Sequence, residues 1–77
     1  MDLNGRQIRA LQKIVFESAF LEGDFAHKGK FGGNIGDVTI NSLIDLGLIE
    51  SGPSDRHHGS VGYRPTDLGK EVEEKTW

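Results

Sequence analysis

The residues in this chain best suited to hold a metal or to titrate near neutral pH are His27 and the adjacent pair His57 and His58, with Asp55 close by. Adjacent residues on an extended segment project to opposite sides, and no second ligand pair at helical spacing accompanies them. No metal site and no cofactor is therefore expected. The simpler chemistry for His57 and His58 is donation of a hydrogen bond to a phosphate, or plain hydration.

Signatures of catalysis are missing at the positions where each would have to stand. Gly32-Gly33-Asn34-Ile35-Gly36 is too short for a phosphate-gripping P-loop and lacks the Lys-Ser/Thr pair that holds phosphate and magnesium. Ser18, Ser42, Ser51, Ser54 and Ser60 lie outside any nucleophile-elbow context, and no carboxylate pair stands out from the solvated charges. The chain is expected to bind rather than to catalyse.

What it could bind depends on where its charges lie. The formal net charge is -3, with 27% charged residues, unlike the basic balance typical of a phosphate-binding domain. The distribution is uneven. Lys28 and Lys30 stand in a glycine-rich stretch with no acid, and Arg56 and Arg64 flank a second stretch with Asp55 alone. Residues 37 to 52, in contrast, contain Asp37, Asp45 and Glu50 and no Lys or Arg. Glu71, Glu73 and Glu74 add a further acidic cluster.

With 77 residues the chain suffices for one small domain, residues 1–77, which buries only roughly 60% of its unfolded surface. No cysteine is present, so neither a disulfide framework nor a thiolate metal site is available. Asp2, Asn4, Gly5, Arg6 and Arg9 interrupt the apolar run a signal peptide would need, and no stretch approaches the ~20 apolar residues of a membrane span. A cytoplasmic protein with no membrane partner is expected.

Periodicity sets out the elements. Ile8, Leu11, Val15 and Ala19 recur on one face of a helix from about Asn4, a good N-cap, to Leu21. Arg6, Arg9 and Lys13 fall in one arc of ~60° roughly opposite that stripe, with Glu17 beside them. Ile14 and Leu21 form a second apolar edge, and Phe16 and Phe20 a third. Residues 22 to 36 hold too many glycines for a regular helix, and at most one irregular turn is expected around residues 25 to 30. A second helix should start at Asp37, with Ile40, Leu43 and Ile44 inward and Val38, Asn41, Ser42 and Asp45 outward. Gly47 suits the left-handed position that stops it. Leu48 and Ile49 begin a strand, Val61 and Tyr63 lie on its return, and Ser51 to Ser60 form a projecting loop. Thr66 caps a last helix whose inner face is predicted to carry Leu68 and Val72.

The order Leu46-Gly47-Leu48-Ile49-Glu50, turn-rich insert, then Tyr63-Arg64-Pro65-Thr66-Asp67-Leu68-Gly69 resembles the second half of winged helix-turn-helix domains of the MarR-like and PadR-like kind. The resemblance covers residues 38 to 72, about half of the chain. It implies an α+β fold of about three helices with a C-terminal two- or three-stranded β-hairpin wing. It departs from the family pattern where a second helix should precede Asp37.

For function, the resemblance implies sequence-specific or architectural binding of double-stranded DNA, as in a transcriptional regulator. Residues 37 to 46 would then be the recognition helix, presenting Thr39, Asn41, Ser42 and Val38 to base edges, and 48 to 64 the wing. Phosphate contacts would come from Lys28 and Lys30 at the loop, from Arg56, His57, His58 and Arg64 on the wing, and from Arg6, Arg9 and Lys13. So small a module makes few contacts, so a homodimer through the surplus apolar edges of the first helix and Trp77 is expected. The alternative is a winged-helix module that binds a protein through its acidic helix or apolar edges and leaves DNA alone.

Overall fold

In a computed structural model, residues 2–21, 24–27, 35–54 and 59–77 are described. Their elements are α1 (Gly5–Ser18), β1 (Ala26–His27), α2 (Asp37–Asp45), β2 (Ile49–Ser54), β3 (Ser60–Pro65) and α3 (Asp67–Glu74). The fold is small α+β: three helices against one three-stranded antiparallel sheet of order β1-β3-β2. Among the described residues no helix is long and apolar enough to cross a membrane.

Asn4 starts α1 through a capping box. Its side chain accepts from the Gln7 amide at 2.8 Å, while Gln7 Oε1 accepts from the Asn4 amide at 2.9 Å, so two otherwise orphaned donors are satisfied. The helix ends three residues earlier than its periodicity suggests. Beyond Ser18 the amides of Ala19, Phe20 and Leu21 bond three residues back, tightening the chain into a turn that delivers Leu21 to the core. The buried face is also rotated from the expected one. Ala10, Leu11 and Ile14 are fully buried, whereas Ile8 and Val15 are half-buried and Ala19 is exposed. The rotation follows from α1 packing against both other helices and the sheet, which places Leu11 and Ile14 at the centre of the contact.

The Asp37–Asp45 helix seats Ile40 and Leu43 in that core, and its exit is a Schellman motif. Gly47 takes φ of 75°, Leu48 N bonds Leu43 O at 3.0 Å and Gly47 N bonds Ile44 O at 2.9 Å. Leu43 and Leu48, both fully buried, make the apolar contact that accompanies this geometry. Burying each such leucine contributes roughly 1.5–3 kcal/mol.

β2 and β3 pair over six residues each, from Ile49↔Pro65 to Ser54↔Ser60. The ladder therefore takes half of the loop expected over Ser51 to Ser60, and residues 55 to 59 join the strands. Pro53 is tolerated because β2 is an edge strand, where a missing N–H costs no ladder bond on its outer side. Ala26 pairs with Tyr63 and His27 with Gly62, so a short strand stands where an irregular turn was expected. Two residues with no alternation carry no strand signal of their own; β3 recruits them.

Thr66 caps α3 by accepting from the Gly69 amide at 3.0 Å. Its inner face is Gly69 and Glu73, both buried, with half-buried Val72; Leu68 is exposed at the rim. The predicted Leu68–Val72 face is thus displaced by one residue. The cause is Gly69, whose missing side chain lets α3 sit directly on the Leu48 carbonyl.

Candidate nucleic-acid interface

Of the side chains expected to meet DNA, those on α2 occupy two different settings. Asp37, Val38, Asn41 and Asp45 are exposed, and Thr39 is half-buried. Ser42 is turned inward. Its hydroxyl accepts from Gln7 Nε2 at 3.1 Å and donates to the Thr39 carbonyl at 2.7 Å, so both its hydrogen-bonding roles are taken by α1 and by its own helix. Helical position alone put Ser42 on the outer face; the partner that draws it aside, Gln7, lies 35 residues away and leaves no local signal.

Arg64 lies on the outer face of the sheet within a cluster of its own. Its Nε donates to Glu50 Oε1 at 2.5 Å across the Glu50↔Arg64 pair, and its guanidinium sits 4.2 Å from the centroid of the Phe25 ring. The ring is bedded on Gly52, while the Cβ and backbone of Phe25 lie against Gly62. A Cβ at Gly52 would lie 2.5 Å from Phe25 Cζ, and one at Gly62 would lie 2.9 Å from Phe25 Cβ. Gly52 and Gly62 are cross-strand partners, so the pair forms a shallow floor for Phe25, ring over Gly52 and backbone over Gly62. Nothing local to Phe25 marks this seat; the Gly52 and Gly62 positions, ten apart on two alternating strands, are the signal that could have revealed it.

The first helix carries Arg6, Arg9 and Lys13 away from α2. Gln7, through which α1 touches Ser42, is roughly 100–160° around the helix from those three cations at ~100° per residue. Lys13 Nζ is 3.6 Å from Glu17 Oε1 and 5.9 Å from the Phe16 ring centroid. Arg64 and this basic stripe are therefore not gathered beside the outward row of α2.

Lys28, Lys30, Arg56, His57 and His58 lie outside the described residues. Among the described residues no group of three or more His, Cys, Asp or Glu side chains could hold a metal ion. His27, half-buried on β1, stands opposite Gly62.

Comparison with protein-family models, curated proteins and solved structures finds no match for this chain.

Proposed function

We propose that the chain is a small winged helix-turn-helix protein that docks on duplex DNA as a transcriptional regulator, with α2 in the major groove and the β2–β3 hairpin along the flank. One observation carries the reading. α2 is fixed from behind by buried Ile40 and Leu43 and locked at Gly47, while Val38, Asn41 and Asp45 stay open to solvent beside the hairpin that leaves from the same corner. Asn41 suits an adenine edge, Val38 a thymine methyl and Asp45 a cytosine amino group. The β1-β3-β2 order, with the Gly47 turn before the hairpin and the Thr66 cap after it, supports the family likeness. Neutralising phosphates falls to Lys28, Lys30, Arg56, His57 and His58, with Arg64 held in reserve by Glu50.

A second reading, a winged-helix module that binds a protein, is favoured by α2 itself. It carries Asp37 and Asp45 with no cation, and Val38 is 85% exposed. Retention on heparin and on duplex DNA across a salt series separates the two. The DNA reading requires retention at low salt that falls steeply with added salt, because bound counterions are released on binding. No retention at low salt assigns the protein-binding role.

A further inference from the structure

We propose that Arg64, laid over the Phe25 ring on the outer face of the sheet, is a stacking platform for one unpaired base of single-stranded nucleic acid, with Glu50 accepting from that base's amino group. Strand alternation sorts the residues. Ala26 and Ile49 are buried against the body and Tyr63 packs beside them, while Glu50 and Arg64, one position along, turn outward and meet Phe25. The outward group is built in layers. Gly52 and Gly62 let Phe25 settle close on the strands, and the Arg64 guanidinium covers the ring with its Cζ 4.2 Å from the centroid. Glu50 Oε1, 2.5 Å from Arg64 Nε, then holds the guanidinium by one edge.

The Arg64 and Glu50 side chains remain 40% and 45% exposed, and because the ring takes one side of the guanidinium, the exposure of Arg64 falls on its remaining surface. Guanidinium planes and aromatic rings are the surfaces on which unstacked bases rest. A plane already fixed from below and from one edge loses little freedom when a base is added on top. Selectivity comes from Glu50. Its Oε1 is taken by Arg64, and among the described residues its Oε2 accepts nothing. A carboxylate accepts from the N4 amino group of cytosine, whereas thymine presents a carbonyl at that place and is repelled. Lys70 lines a cleft of about 70 Å³ together with Arg64, Ser18, Asp24 and Pro65, so a second cation borders the platform for the neighbouring phosphate. Asp24 opposes it, but its carboxylate already accepts from the Phe25 amide at 2.8 Å and the Ser54 hydroxyl at 3.5 Å. None of these residues belongs to α2, so the site is independent of the duplex reading above.

Fluorescence anisotropy of the intact chain with fluorescein-labelled single-stranded octamers of deoxycytidine and of thymidine, in low salt, tests the proposal. The cytosine strand should bind, and about tenfold more tightly than the thymine strand. Arg64→Lys keeps the charge and loses the plane, so it should weaken cytosine binding about tenfold while circular dichroism still reports a folded chain. Glu50→Ala removes one negative charge, which by itself would tighten both strands alike; the expected result is loss of the preference for cytosine. That ratio is read within one variant, so a change in its stability does not imitate it. Failure of both strands to bind overturns the proposal. So does binding that ignores the base and tolerates Arg64→Lys, because phosphates are then drawn by charge alone. Duplex DNA measured in parallel separates the two readings: single strands bound without duplex keep this site and remove the role of α2, and duplex bound without single strands does the reverse.

Discussion

A methyl group placed on Gly69 would lie 1.8 Å from the carbonyl oxygen of Leu48. The obstruction is backbone, in the residue that also seals the Schellman turn, so neither side can yield without moving α3 off the sheet. Gly69→Ala is expected to destabilise by about 3 kcal/mol or more, the upper range of overpacking costs. At ~4–8 °C per kcal/mol for a domain of this size, thermal unfolding monitored by circular dichroism should show a fall well above 10 °C.

Thr66 performs two tasks with one hydroxyl, accepting from the Gly69 amide and donating to the Gly47 carbonyl at 2.6 Å. Thr66→Ala should cost about 1–2 kcal/mol, the range for a lost N-cap with an added lost hydrogen bond. Thr66→Ser keeps the hydroxyl and should recover most of it in denaturant unfolding.

The Gly52 and Phe25 positions should be coupled. Gly52→Ala drives a methyl into the ring and is expected to cost about 1–3 kcal/mol, whereas in a Phe25→Ala background the same change should be close to neutral. A double-mutant cycle measured by urea unfolding checks this, and additive effects would show that the ring does not rest on the glycine floor.

Glu50→Gln tests how much the Arg64 ion pair contributes. The two side chains are 40% and 45% exposed, so despite its short geometry the pair is screened and should be worth no more than about 1 kcal/mol. Its loss should be smaller still in high salt.

On DNA, Asn41→Ala should weaken specific binding by about 1–3 kcal/mol, the usual worth of a bidentate base contact. Ser42→Ala should leave affinity unchanged, because that hydroxyl is spent on Gln7 and Thr39. Fluorescence anisotropy with a selected duplex distinguishes the two variants.

Local chemistry was legible wherever a residue acts on its own neighbours. Asn4, Gly47 and Thr66 declare their caps by type, and Ile40 and Leu43 declare the inner face of α2 by spacing. Hidden were the consequences of distant contacts. Ala26–His27 becomes a strand only because β3 is there to pair with it, and Leu68 yields the inner face of α3 because Leu48 accepts a glycine beside it. The same holds for the interface. The exposed row of α2 follows from periodicity, while the withdrawal of Ser42 toward Gln7 and of Arg64 toward Glu50 and Phe25 depends on partners 35, 14 and 39 residues off.

Gly47 and Thr66 stand 19 positions apart yet are clasped by one hydrogen bond, so the excursion between them leaves and re-enters the body at a single point. Residues inserted or deleted at its far end would change how far it reaches while the helical scaffold keeps its anchorage. Reach and stability are thereby separable quantities in this chain, and the first can be altered by length alone.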